Sequence, residues 1–133
     1  MCGIFAHIKN SSLTHQNLVD ALTALNSINH RGPDGDGLIL INSTTNAIQF
    51  VNSSKCPSFI NAKNINYVTV SDYNIILGHK RLSIFDLSDN GFQPMICKQT
   101  GNIIVFNGEI YNWKQIKEDL IKTNYHFTSE TDT

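Results

Sequence analysis

Short apolar runs separated by polar, glycine-rich stretches organise the chain. Residues 3–8 (GIFAHI) are a compact apolar run and read as a short buried strand. In residues 13–28 (LTHQNLVDALTALNSI) the period changes. Leu18, Leu22 and Leu25 recur at i, i+4 and i+7, with Ala21 and Ile28 beside them, which predicts an amphipathic helix. Gly32, Pro33, Gly35 and Gly37 then interrupt regular structure in NHRGPDGDG. Four β-prone pieces follow: residues 37–41 (GLILI), 47–51 (AIQFV), 66–70 (NYVTV) and 73–79 (YNIILGH). Residues 42–46 and 52–64, rich in Ser, Asn, Thr and Lys, read as surface turns and loops, as do residues 86–94. Residues 102–106 (NIIVF) predict a strand. Residues 109–122 predict a helix with Ile110, Trp113, Ile116 and Leu120 on one face. Strands and helices mix without the regular alternation of a doubly wound sheet, so the fold class is α+β.

Composition narrows the function. The 133 residues suffice for one domain, and 41% are apolar, as a globular core requires. The net charge of −1 and the lack of a basic stripe exclude nucleic acid as a partner on electrostatic grounds. No apolar run approaches the roughly 20 residues needed to cross a bilayer, and no signal peptide is visible, so a membrane partner is excluded and the expected setting is cytoplasmic. Cys2, Cys56 and Cys97 are odd in number and far apart, which argues against a disulfide framework or a zinc site. No metal site is expected. Asp34 and Asp36 resemble the start of a calcium loop, but no acidic residue closes a twelve-residue loop.

Four features could carry chemistry. If Met1 is removed, Cys2 unites a thiol with a free α-amine. An amine of pKa roughly 7.7–8.0 can take the thiol proton near neutrality and return it to a leaving amine. The alternative is a small buried apolar side chain. In VFNGEIYN (105–112), Asn107 and Gly108 are either a plain turn or two donors, one side-chain amide and one backbone N–H, suited to a tetrahedral oxyanion. Arg81, at the end of LGHKR, is either a solvated cation or a bidentate grip for a carboxylate. Asp132 is either solvated or a partner for a substrate ammonium.

In combination, MCGIF, HRGPDG, LGHKRLSIFD, QP, NGEIYN and FTSETDT resemble the N-terminal glutaminase domain of asparagine synthetases, which are class II glutamine amidotransferases of the N-terminal nucleophile (Ntn) hydrolase fold. The resemblance touches most of the chain except residues 38–74. It implies the N-terminal part of an αββα four-layer sandwich, with residues 1–133 as one amidotransferase domain whose remaining strands, and a synthetase domain as partner, lie beyond it. It implies L-glutamine as substrate and Cys2 as nucleophile, with its α-amine as base. Asn107 and Gly108 would be the oxyanion hole, and Arg81 the α-carboxylate grip. Arg81, Leu82, Ser83, Ile84 and Phe85 would line the glutamine pocket, Glu109 and Asp132 would surround the ammonium, and Arg31 and Gly32 would pack near Cys2. No cofactor is implied for this chain. ATP and Mg²⁺ belong to the synthetase domain, whose SGG-type pyrophosphate loop is not in this sequence. The competing readings are an amidotransferase of the same class with another acceptor, and a non-catalytic truncated binding module. Dimerisation stays open. Alone, the 133 residues are expected to leave a sheet edge and a core face uncovered.

Overall fold

A computed structural model describes residues 2–84, 87–127 and 132–133. Five strands form the principal sheet: β1 (Gly3–Ile8), β2 (Gly35–Ile41), β3 (Ile48–Val51), β4 (Ala62–Lys63) and β5 (Ile75–Arg81), in the order β1-β5-β2-β3-β4. β5 pairs antiparallel with both β1 and β2, and β4 joins β3 in parallel. A second ladder joins β6 (Met95–Ile96) to β7 (Ile103–Ile104). Helix α1 spans His15–Ser27 and α2 spans Trp113–Ile121. The described architecture is α+β, as the sequence pattern predicts.

The capping chemistry starts α1. The Thr14 hydroxyl accepts from the Asn17 N–H at 3.2 Å, and the Asn17 side chain accepts from the Thr14 N–H at 3.0 Å. Its apolar stripe, Leu18, Ala21 and Leu25, is buried against Leu38, Leu40 and Ile76. Register assigns the faces of the sheet. Gly3, Lys80 and Asp36 lie abreast, then Phe5, Gly78 and Leu38, then His7, Ile76 and Leu40. These alternate positions face α1, so Cys2, Ile4, His79, Arg81, Gly37 and Ile39 belong to the opposite, outer face. Over β2 and β3 that outer face is covered by Phe92, which meets Phe50 at 6.0 Å and Phe59 at 6.4 Å between ring centroids. Over β1 it is open: Ile4 is 51% exposed and Ile8 68%.

Four expectations need correction. Residues 66–70 do not form a strand. They make 3₁₀ turns at Ile65–Tyr67 and Val70–Asp72, because the Asn64 side chain accepts from the Asn66 N–H at 3.0 Å and competes with extended backbone. Val70 still buries its side chain in the core. The glycine-rich loop ends sooner than expected, since β5 continues to Arg81 and recruits Gly35 and Asp36 as partners. Within 102–106 only Ile103 and Ile104 pair. Helix α2 begins at Trp113 and not at Glu109: the Ile110 N–H donates to the Asp132 carboxylate at 2.8 Å, and the Ile110 carbonyl closes a separate turn with the Trp113 N–H at 3.0 Å. No α2 residue is buried, and Ile116 remains 42% exposed.

Among the described residues, a lysine and an aspartate lie inside. Lys80 and Asp36, 0% and 1% exposed, pair at 2.6 Å. Asp36 also accepts from the Ser54 hydroxyl at 2.7 Å and the Lys55 N–H at 2.8 Å, while the Asn26 side chain accepts from Lys80 at 3.4 Å. Burial alone would raise the Asp36 pKa, but the Lys80 ammonium and these donors outweigh it and hold it below the usual carboxylate value. Replacing one partner strands the other, so Lys80→Met should destabilise the domain by about 3–5 kcal/mol, and Lys80→Met with Asp36→Leu should recover most of it. Hydrogen exchange of the β2 and β5 amides reports both values.

His79, 1% exposed, has its pKa lowered to about 4, chiefly by burial. Unfolded, it titrates near 6.5. Between these values the unfolded chain binds the extra proton. The stabilisation is therefore complete above pH 6.5 and declines as pH falls toward 4, at up to about 1.4 kcal/mol per pH unit. The domain's melting transition should drop more between pH 7 and pH 5 in the wild type than in His79→Gln.

Candidate active site

Where β1 begins and β5 ends, a cleft of about 540 Å³ opens on the outer face of the sheet, within the size range of small-molecule sites. Cys2 lies at its floor. The Cys2 sulfur accepts from the Leu82 N–H at 3.3 Å. The Cys2 thiol also lies 3.8 Å from the Leu82 carbonyl. The Cys2 carbonyl accepts from the Arg31 Nε at 3.3 Å, which fixes the backbone that carries the sulfur.

The segment after β5 is shaped by HRGPD. Asp34 donates its N–H to the Arg81 carbonyl at 3.0 Å and accepts the Ser83 N–H on its carboxylate at 2.8 Å. Gly32 lies against β5 so closely that a Cβ would stand 2.4 Å from the Lys80 carbonyl, and only glycine permits that approach. Asp34 thus has a positioning task that the sequence analysis did not assign. An acidic residue next to a proline-fixed turn was the available signal.

Arg81, Leu82, Ser83 and Ile84 line one side of the cleft. Phe85, expected beside them, lies outside the described residues. Arg81 donates to the Ser88 carbonyl at 2.6 Å with one of its five N–H groups. Across the cleft stand Asn107, Gly108 and Glu109, all exposed. Asp132 closes the end, fixed by the Ile110 N–H. Of the residues expected at the site, Arg31 and Gly32 stay outside the lining and act on the backbone of Cys2 and β5. Among the lining residues that were not foreseen are His79 and Gln93. Both fall inside motifs, LGHKR and QP, but the alternation of β5 is needed to see that His79 shares the face of Arg81.

Among the described residues no three His, Cys, Asp or Glu side chains group as a metal site. No helix among them is long and apolar enough to cross a membrane.

Comparison with known proteins gives the same direction. The glutamine amidotransferase domain family matches residues 65–133. A glutamine–fructose-6-phosphate aminotransferase of Buchnera aphidicola is 32% identical over 134 residues, covering 100% of this chain and 21% of that protein. A protein named "Probable asparagine synthetase" (glutamine-hydrolyzing) of Acanthamoeba polyphaga mimivirus is 30% identical over 99% of this chain and 18% of its own length. The glutamine-hydrolyzing asparagine synthetase 1 of Bacillus subtilis is 28% identical over 100% of the chain and 16% of its own length. The chain therefore spans about a fifth of the relatives it matches. With the match covering residues 65–133, more than half of its length, this chain belongs to the glutamine amidotransferase domain family.

Proposed function

We propose that the chain is the glutaminase unit of a longer asparagine synthetase, and that its described elements are part of an Ntn-hydrolase αββα sandwich. The observation that carries the reading is the cleft itself. It gathers Cys2, Arg81, Asn107, Gly108 and Asp132 from four separate stretches of sequence around one sulfur. Arg81 grips the α-carboxylate of L-glutamine, and Asp132 with Glu109 receives its α-ammonium. The side-chain amide then extends toward Cys2.

Removal of Met1, which lies outside the described residues, frees the Cys2 α-amine as base. The amine takes the thiol proton, and the thiolate attacks the amide carbon to form a C–S bond. The Gly108 N–H and the Asn107 amide hold the oxyanion. The C–N bond breaks as the ammonium returns its proton to the leaving nitrogen, which departs as ammonia and leaves a γ-glutamyl thioester. Water, deprotonated by the same amine, attacks the thioester, releasing glutamate and restoring the thiol.

Relatives named as asparagine synthetases support aspartate as the ammonia acceptor, with ATP and Mg²⁺ used elsewhere in the full-length protein. The aminotransferase relative supports a second reading, a sugar phosphate acceptor. The free thiols of Cys2, Cys56 and Cys97 support a reducing, cytoplasmic setting.

Steady-state glutaminase kinetics of the full-length protein test this. Cys2→Ser should remove activity. Asn107→Ala should lower kcat by about 10²–10³-fold with little change in KM. Arg81→Ala should raise KM by about 10–100-fold through loss of a charge-assisted contact. Activity retained in Cys2→Ser would overturn the proposal.

A further inference from the structure

Phe106 is the residue before Asn107 and Gly108, and the β6–β7 ladder ends at Ile104, two residues short of it. Two side chains from elsewhere hold its backbone. The Gln93 Oε1 accepts from the Phe106 N–H at 2.6 Å, and the His79 Nε2 meets the Phe106 carbonyl at 3.2 Å. Both are buried, His79 at 1% and Gln93 at 6% exposure. A carbonyl oxygen only accepts, so the His79 Nε2 carries the hydrogen and donates it. That nitrogen is therefore engaged and is not the base for Cys2, although His79 lines the same cleft.

Gly37, directly across from His79 on β2, lets the clamp assemble. A Cβ there would stand 2.2 Å from the Gln93 carbonyl oxygen and 2.6 Å from the Phe92 ring, so Gln93 settles directly on the sheet. Asn107 and Gly108 are exposed, and among the described residues no ladder pairs with them. Donors of this kind work only if they are held in place before charge develops.

We infer that His79 and Gln93 are positioning residues that clamp both polar backbone groups of Phe106 and thereby fix the Asn107–Gly108 donors over Cys2. The inference rests on the reading of those donors as the oxyanion hole. It assigns His79 the neutral, Nε2-protonated form throughout turnover.

The test uses the full-length protein, with glutaminase kinetics beside alkylation of Cys2 by iodoacetamide, which needs no oxyanion stabilisation. His79→Leu and Gln93→Leu should each lower kcat by about 10–100-fold, with KM within about twofold and the alkylation rate unchanged. His79→Gln places an amide N–H at the same reach, and Gln93→Glu keeps an acceptor. Each should recover kcat to within about threefold of wild type. Combining His79→Leu with Asn107→Ala should add little to Asn107→Ala alone, since both act through one group. Unchanged kcat in both leucine variants would overturn the clamp. So would His79→Gln as slow as His79→Leu, or KM, kcat and alkylation failing together as a misfolded domain would make them. A wild-type protein that does not hydrolyse glutamine overturns the functional proposal instead, and is told apart because no variant comparison then arises.

Discussion

The buried pair between Lys80 and Asp36 sets the register on which the site depends. It joins the centre of the sheet across β5 and β2, with Gly3 of β1 abreast of it. Side chains alternate along a strand, so Lys80 turned toward α1 obliges His79 and Arg81 to face the other way. A slip of one residue would drive the guanidinium into the core and send the ammonium into the cleft. An apolar residue at position 80 would fill the space, but it would add nothing against that slip beyond the cost of burying Arg81. A buried ammonium adds to that cost, because only Asp36, among the carboxylates described, is within ion-pair distance of it.

From this register the cleft follows in steps. β5 runs antiparallel to β1, so the start of one strand meets the end of the other and Cys2 arrives beside Leu82. HRGPD folds back over the same strand end. Its arginine holds the Cys2 carbonyl, its glycine permits contact, and its aspartate holds Ser83. The outer layer is joined to the sheet by His79 and by Gln93 above Gly37, so the Asn107–Gly108 turn is located relative to the sulfur by two short polar contacts. The cleft lies where residues of the sheet, Cys2, His79 and Arg81, meet the segment of Asn107 and Gly108.

The parts of the fold legible in the sequence were those governed by local period. The stripe of Leu18, Leu22 and Leu25 and the runs of β1 and β2 signal themselves. Residues 66–70 misled because valine and tyrosine favour strands, while the side chain of Asn64 offers the backbone a competing turn. Cys2, Arg81, Asn107, Gly108 and Asp132 were legible as neighbours only through the family resemblance, since nothing local brings residue 2 to residues 81, 107 and 132. Lys80 and His79 were illegible for another reason. Charged and titratable side chains are expected at a surface, and only long-range pairing reveals that both are buried.

The central claim is that Cys2, freed at its amino group, is the nucleophile of a glutamine pocket. Its most direct test is the intact mass of the full-length protein before and after 6-diazo-5-oxo-norleucine, a glutamine analogue that alkylates nucleophilic thiols. The account predicts loss of Met1 and one adduct, mapped to Cys2 and prevented by excess glutamine. A protein lacking Met1 whose Cys2 stays unmodified, or whose only adducts lie on Cys56 or Cys97 and ignore glutamine, would contradict it.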